Sequence, residues 1–208
     1  MTTIALLDYG MGNRRSVEKA LEHVGARAEL TGDHDRVLAA DGVVVPGVGA
    51  FPEAMRRLSA AGLDELIRAR AGAGVPVLGI CLGMQLLFDS STEHEGGAGL
   101  GLLPGTVTAL DARGAKLPHI GWNEVVLERP GVLTEGFGPT AAFYHVHSYV
   151  CRPDDPVDVV GAGEYGERFA SIVERNNVLG AQFHPEKSSR AGLALLENFV
   201  RACARVPA

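Results

Sequence analysis

The sequence predicts an α/β fold with an open, mostly parallel central sheet, flanking helices, and added antiparallel strands in the second half of the chain. Three short runs, residues 4–8, 42–47 and 76–80, are apolar without interruption, which is typical of strands buried on both faces. Apolar residues recur at spacings of three and four over residues 17–24, so a helix is predicted between the first two runs. Strand, helix and strand in this order favour right-handed crossovers and a parallel sheet.

After about residue 100, strand-like segments follow one another more closely, with Pro and Gly turns between them. These segments are GTVTAL at 105–110, AAFYHVHSYV at 141–150, FASIV at 169–173 and VLGAQF at 178–183. The amphipathic run 191–204 carries Leu193, Leu196 and Phe199 on one side and predicts a final helix. Because no linker or repeat interrupts the chain, residues 1–208 are predicted to form a single domain.

The composition argues against several classes of function. The formal net charge is -6 and the positive residues form no long block, which argues against nucleic acid as a partner. No apolar segment approaches bilayer length and no basic leader precedes the first apolar run, so we expect a cytoplasmic protein without a membrane partner. The three cysteines, Cys81, Cys151 and Cys203, are odd in number and widely spaced, which predicts neither a disulfide framework nor a metal site.

Cys81 lies between two glycines in the stretch GICLGMQ, residues 79–85. It follows the predicted strand 76–80 and precedes a helical pattern over residues 82–88. The Gly-x-Cys-x-Gly spacing matches a nucleophile elbow, a sharp strand-to-helix turn that exposes its central side chain at the sheet edge. The helix N-terminus would stabilise a thiolate, and the N–H of Leu82 could donate to an oxyanion. Taken alone, the motif fits a buried structural cysteine at least as well.

A candidate base comes from the stretch FHPE, where His184 ends an apolar strand and Glu186 follows two residues later. In an extended segment such residues project to the same side, so Glu186 could orient the imidazole. Nucleophile, base and orienting carboxylate would then form a triad in the order Cys81, His184, Glu186. A capped strand end with an accidental His-Pro-Glu is the alternative. Because both motifs fall at strand ends of one α/β domain, together they predict a catalytic thiol.

Several sequence motifs, which occur in the same order along the chain as in a known protein family, give a resemblance that covers essentially the whole chain. GICLGMQ and FHPE resemble the class I, or triad-type, glutamine amidotransferases. More narrowly, the chain resembles the glutaminase subunits of imidazole glycerol phosphate synthase through DYGMGN (8–13), PGVGAF (46–51), PHIGWN (118–123), YHVHSY (144–149) and FHPEKS (183–188). Glutaminase subunits of other synthases usually have histidine where Met84 stands and lack PHIGWN. A glutaminase subunit of a different synthase is therefore the second hypothesis.

The resemblance implies that Cys81 attacks the side-chain amide of glutamine and forms a thioester. His184 would protonate the departing ammonia and then activate water, while Glu186 holds the histidine. Thiol, imidazole and backbone amides suffice for this chemistry, so no metal or organic cofactor is expected.

The resemblance also implies where the oxyanion and the substrate bind. A strand segment made of Pro46, Gly47, Val48 and Gly49 would supply a second oxyanion donor, the N–H of Val48, after a peptide flip that its glycines permit. From the residues alone, a plain glycine turn explains this segment equally well. Gln85, Ser148 and Tyr149 would hold the glutamine, although Gln85 could equally be a solvated helix residue.

The partner implied by the resemblance is a (β/α)8 barrel cyclase subunit, which forms a heterodimer with the glutaminase and receives ammonia through a tunnel. The cyclase makes imidazole glycerol phosphate and an aminoimidazole carboxamide ribonucleotide (AICAR) in histidine biosynthesis. Trp122, as an aromatic anchor, and Lys187, as a charge partner, are the implied interface residues. Alternatively, Trp122 is packed core and Lys187 an exposed charge of little energetic value. A cysteine hydrolase and a noncatalytic docking subunit are the remaining hypotheses.

Overall fold

Within residues 1–205, the part of the chain that the computed structural model describes, two β-sheets and the helices around them form the fold. The strands are β1 (Thr3–Leu7), β2 (Arg27–Thr31), β3 (Gly42–Val45), β4 (Val77–Ile80), β5 (Phe88–Ser91), β6 (Gly97–Ala98), β7 (Leu103–Ala109), β8 (His119–Leu127), β9 (Thr140–His147), β10 (Tyr149–Pro153), β11 (Val159–Tyr165), β12 (Glu167–Arg175) and β13 (Val178–Ala181). The helices are α1 (Arg14–His23), α2 (His34–Ala39), α3 (Phe51–Ala60), α4 (Leu63–Gly72), α5 (Leu82–Leu86) and α6 (Ser189–Cys203). Residues 206–208 of the predicted single domain lie outside the described residues.

The central sheet has the strand order β2-β1-β3-β4-β13-β12-β11-β8-β9. Its pairs from β2 to β13 are parallel, and its pairs from β13 to β9 are antiparallel. A smaller sheet has the order β10-β7-β5-β6. The predicted α/β fold, with a parallel first half and antiparallel strands added in the second, is therefore confirmed.

Both faces of the parallel strands are covered, which explains their unbroken apolar sequences. All residues of β3 and β4 are buried. One face packs against α3 and α4 through residues such as Leu58 and Ile67, and the other packs against α1 and α6 through residues such as Leu21 and Phe199. At about 25 cal/mol per Å² of apolar surface, this two-sided burial is the main stabilisation of the sheet.

Three local predictions differ from the structure. Strand β2 and helix α2 lie between the first two predicted strands and were not expected, because β2 is an edge strand whose residues are mostly half-buried and so shows no apolar run. Phe88 belongs to β5 instead of the helix, because α5 ends at Leu86 and Phe88 pairs with β7. The segment 141–150 is divided at Ser148 into β9 of the central sheet and β10 of the small sheet.

A cluster of buried residues joins the two sheets near that division. Leu110, Val150 and Phe169 pack together, which fixes the small sheet against β12. The helix predicted for 191–204 corresponds to α6. Among the described residues, none of the helices is both long and apolar enough to cross a bilayer.

Candidate active site

The backbone of Cys81 makes a sharp turn between β4 and α5. Its φ of 55° and ψ of −110° are unusual for a residue with a side chain and carry a strain of about 1–3 kcal/mol. The turn leaves no space for side chains on either side. A Cβ on Gly79 would lie 2.5 Å from the carbonyl oxygen of Gly83, and one on Gly83 would overlap the carbonyl oxygen of Val45. Both glycines are therefore required by packing, as the elbow motif predicted.

His184 and Glu186 are in direct contact, but not through an extended strand. His184 Nδ1 donates to Glu186 Oε1 at 2.9 Å, and the Glu186 side chain is fully buried. The contact forms because Pro185–Lys187 is a 3-10 turn, which corrects the expectation that alternation along a strand would bring the two side chains together. A bond from Ser188 Oγ to the His184 carbonyl, 2.7 Å long, closes this turn.

The environment of His184 favours its imidazolium form. Burial alone lowers its pKa, but hydrogen bonding and charge interactions with Cys81 and Glu186 outweigh burial and raise the pKa to about 9. Because Glu186 occupies Nδ1, Nε2 is the nitrogen left to exchange a proton with a neighbouring group. The structure thus pairs the imidazole with the carboxylate, and the effect of Cys81 on the pKa of His184 indicates that the thiol is close to the imidazole.

A cavity of about 250 Å³ opens beside Cys81. Its walls include the predicted site residues Val48, Gly49, Cys81, Leu82, Gln85, Ser148 and Tyr149. Such a volume accommodates a small polar molecule, below the usual size of drug-like sites. A larger cavity of about 760 Å³ lies against residues 127–139, where none of the predicted site residues is found.

The segment from Pro46 to Gly49 lies against the elbow. Tyr9 donates its hydroxyl proton to the Pro46 carbonyl at 2.5 Å, and burial raises the pKa of this tyrosine. A Cβ on Gly47 would lie 2.8 Å from the Tyr9 hydroxyl and 3.0 Å from Leu82 Cβ, so close packing demands glycine there. Gly49 has a φ of +111°, which only glycine adopts readily. The segment is therefore more constrained than a plain turn.

Gln85 is held in place by two acceptors and is only 5% exposed, so the solvated alternative is wrong. Its Nε2 donates to the Tyr149 carbonyl at 3.1 Å and to Gln182 Oε1 at 3.2 Å. Gln182 in turn donates to Cys81 Sγ at 3.9 Å. The Cys81 thiol donates to the Val146 carbonyl at 3.7 Å.

Three more residues in or beside this cavity were not predicted from the sequence. Glu93 is buried in the cavity wall, and its Oε2 accepts from the backbone N–H of Phe51 at 2.8 Å. His147 also lines the cavity and donates to the Tyr149 carbonyl at 3.1 Å. Gln182 lies behind Cys81. The alternation in YHVHSY was a usable signal for His147, but Glu93 lies in a Glu- and Gly-rich loop that carried none.

The two implied interface residues are both on the surface. Trp122 is 55% exposed and contacts Tyr144 edge-on at 6.1 Å between ring centroids, so the packed-core alternative is wrong. Ile120, on the same face of β8, is 58% exposed. Lys187 is exposed directly beyond Glu186. Pro118, two residues before Ile120, lines the cavity, so the exposed apolar side chains of β8 begin close to it.

The remaining cysteines show no feature of a reactive site. Cys81, Cys151 and Cys203 are all free and buried, and burial raises the pKa of both Cys151 and Cys203. Across residues 1–205, no group of three or more His, Cys, Asp or Glu side chains could hold a metal ion.

Comparison with known proteins shows the family to which the chain belongs. A family model described as "Glutamine amidotransferase class-I" matches residues 5–203. The imidazole glycerol phosphate synthase subunit HisH of Moorella thermoacetica is 54% identical over 96% of this chain and 94% of its own, and that of Bacillus cereus is 48% identical over 94% and 93%. The structure of PurLQS from Thermotoga maritima shares the fold, with a TM-score of 0.77 at 20% identity over 97% of this chain and 98% of its own. The chain therefore belongs to the class I glutamine amidotransferases, a family of glutaminase enzymes, and within it to the HisH subunits of imidazole glycerol phosphate synthase.

Proposed function

We propose that this chain hydrolyses glutamine through Cys81, His184 and Glu186 and passes the ammonia to a cyclase subunit. One observation carries the proposal. A cysteine in a strained elbow lines a small cavity and interacts with a histidine whose Nδ1 is bound by a buried carboxylate. This is the relation of nucleophile, base and orienting group that covalent amide hydrolysis requires.

The chemistry follows from these contacts. The sulfur of Cys81 attacks the side-chain carbonyl carbon of glutamine, and the carbonyl oxygen becomes an oxyanion. The carbon–nitrogen bond then breaks, and His184 gives its proton to the nitrogen so that ammonia leaves. The resulting thioester is attacked by water, whose proton His184 accepts, and glutamate is released with the thiol restored. Glu186 keeps the imidazole oriented in both steps.

Backbone donors would stabilise the oxyanion. The N–H of Leu82 lies in the first turn of α5, where helix N–H groups have no intrahelical partner. The N–H of Val48 is the second donor in the proposal, and the neighbouring Gly49 supports the flip that would aim it. Ser148 and Tyr149 offer backbone groups to the amino acid end of glutamine, and the oxygen of Gln85 offers an acceptor to its ammonium group.

The proposed partner is a (β/α)8 barrel cyclase, because the relatives with 48–54% identity are named as subunits of imidazole glycerol phosphate synthase. Exposed Ile120, Trp122 and Val48 give an apolar surface beside the cavity, and Lys187 adds a positive charge. A partner seated there would exclude water, which would otherwise protonate the released ammonia to the unreactive ammonium ion. In this heterodimer, the ammonia would serve the synthesis of imidazole glycerol phosphate and AICAR.

The test is release of glutamate and ammonia from glutamine by the complex of this chain with its cyclase and the ribulosyl ligand, compared between wild type and Cys81→Ala. We expect the variant to lose release by at least about 1000-fold. The isolated wild-type chain should hydrolyse glutamine far more slowly than the complex, because in this proposal the N–H of Val48 turns toward the site only when the cyclase binds. Undiminished release by Cys81→Ala would reject the proposal and favour a docking subunit, and equal rates with and without the cyclase would reject activation by the partner.

A further inference from the structure

We propose that Gln182 is a positioning residue that joins the nucleophile to the side chain that reads the substrate. It donates a hydrogen bond to Cys81 Sγ through one end of its amide and holds Gln85 through the other. The inference rests on the proposed function, since it takes Cys81 as the nucleophile and Gln85 as a glutamine contact.

Gln182 is placed for this role by its neighbours in the chain. It follows β13 directly and lies two residues before His184. Its backbone N–H donates to the Ser171 carbonyl at 2.9 Å, and its side chain is completely buried. Burying a side-chain amide costs about 1–3 kcal/mol of stability unless its polar atoms form hydrogen bonds. The contacts with Cys81 and Gln85 supply these hydrogen bonds and explain why a polar residue is found at this buried position.

The orientation of the side-chain amides of Gln85 and Gln182 follows from the Tyr149 carbonyl, a group that can only accept a hydrogen bond. The Tyr149 carbonyl has no proton, so the Gln85 atom that faces it must be the nitrogen, Nε2. The same nitrogen faces Gln182, so Gln182 must present its oxygen there. The nitrogen of Gln182 is then the atom directed at Cys81 Sγ. Both hydrogens of Gln85 Nε2 are used, which leaves Gln85 Oε1 as the acceptor for a ligand in the cavity that this side chain lines.

The sulfur of Cys81 therefore has two unlike neighbours. The Val146 carbonyl accepts the S–H proton and favours the thiol, whereas the Gln182 N–H favours the thiolate. When the proton leaves, the contact with the carbonyl becomes repulsive and the contact with Gln182 becomes a charge-assisted hydrogen bond. Gln182 thus contacts the attacking sulfur through its amide nitrogen while its amide oxygen orients Gln85, the substrate contact.

Other titratable groups interact with Cys81 or lie around its cavity, and the test has to leave them unchanged. They are His184 with Glu186 from the turn after β13, Tyr9 from the segment after β1, Cys151 from β10, and Glu93 and His147 across the cavity. Gln182→Met keeps side-chain volume, removes both amide contacts and alters none of these groups.

The experiment measures the rate at which iodoacetamide alkylates Cys81 as a function of pH, in the full chain, by mass spectrometry of the Cys81 peptide. We expect Gln182→Met to move the midpoint of this profile upward by about one pH unit, the size expected for loss of one hydrogen bond to an ionised group. Gln85→Met should leave the midpoint unchanged, because the Gln182 contact with sulfur remains. In the glutaminase assay, both variants should raise KM, and only Gln182→Met should also lower kcat.

Asn198→Leu is the matched control, since it removes a buried amide whose nitrogen donates to the Leu133 and Glu135 carbonyls, away from the cavity. Its alkylation midpoint should equal that of wild type. If Gln182→Met does not fold, Gln182→Leu replaces it, because it also removes the amide nitrogen that contacts Cys81 Sγ and should give the same upward shift. A wild-type midpoint in either Gln182 variant would overturn the inference. Alkylation does not depend on glutamine being the substrate, so this result is separable from failure of the proposed function.

Discussion

Two sets of buried histidines lie close together in this fold and have opposite protonation. For His184, the opposing effect of burial is outweighed by Cys81 and Glu186, so its pKa is raised to about 9. For His145 and His147, on β9, burial and the positive charge of neighbouring imidazoles lower the pKa to about 2 and about 3. Burial is common to all three, so the partners decide the outcome. Among these three buried histidines, the one that keeps a proton near neutral pH is the one with a thiol and a carboxylate beside it.

Burial is the main cause that keeps the β9 histidines neutral, and the hydrogen bonds of His147 fit this neutral form. His147 donates from Nδ1 to the Tyr149 carbonyl, so its Nε2 accepts from His119 Nδ1 at 3.1 Å. His119 Nε2 then accepts from Asn123 at 3.3 Å. In its neutral form, each of the His147 and His119 rings donates one hydrogen bond and accepts another. A second proton on either ring would point at the hydrogen of a neighbouring donor. This series of hydrogen bonds orients the Tyr149 carbonyl, which in turn accepts a hydrogen bond from Gln85. The neutral histidines therefore have a structural role.

The largest difference between the two sets should appear in catalysis. His184→Asn should lower glutamine hydrolysis about 1000-fold, because it removes the group that carries the proton. His145→Gln should leave kcat within about threefold while it lowers the free energy of unfolding by about 1–2 kcal/mol, through loss of its bond to Ser171 Oγ. Steady-state assays of the complex and urea unfolding measure the two effects. Equal losses of activity would show that the comparison is wrong.

Glu186→Gln tests whether the carboxylate accounts for the difference. It keeps the shape and removes the charge, so the pKa of His184 should fall by about one unit or more toward the values of the other buried histidines. Hydrolysis should fall about 100-fold. An NMR titration of the His184 ring measures the shift, with the His145 ring as internal control. A pKa that stays near 9 would assign the effect to Cys81 alone.

The remaining effect is on stability as a function of pH, and its sign differs between the two sets. His184 has a folded pKa above its unfolded value of 6.5, so its contribution is fully present below pH 6.5 and is lost as the pH rises through 9. His145 and His147 have folded pKa values below 6.5, so stability is lost as the pH falls below 6.5. Each contributes a slope of about 1.4 kcal/mol per pH unit.

Urea unfolding from pH 4.5 to 9.5 measures these slopes. The double variant His145→Gln, His147→Gln should have a flatter profile than wild type on the acid side, and His184→Gln a flatter profile between pH 6.5 and 9. Parallel profiles for all three proteins would contradict the assigned protonation.

The sequence predicted the elbow and the parallel sheet because both depend on local patterns. Gly79 and Gly83 are adjacent in sequence to the turn that requires them, and β3 and β4 show their burial as unbroken apolar runs. The contact between His184 and Glu186 was expected for the wrong reason, since a 3-10 turn makes it.

What the sequence could not predict depends on the register between distant strands. YHVHSY places His145 and His147 on one face of β9, but only the pairing of β8 with β9 sets His119 opposite His147. Likewise, Gln182 reaches Cys81 and Gln85 because β13 pairs with β4. Edge strand β2 was missed because partial burial leaves a mixed sequence.

The central claim is that the sulfur of Cys81 carries the glutamyl group. The most direct test is acid quenching of the cyclase complex during turnover with glutamine, followed by mass spectrometry of the peptides. We expect a glutamyl adduct on the Cys81 peptide, and none on the peptides that contain Cys151 or Cys203. Turnover with no adduct on Cys81, or an adduct on another residue, would contradict the account.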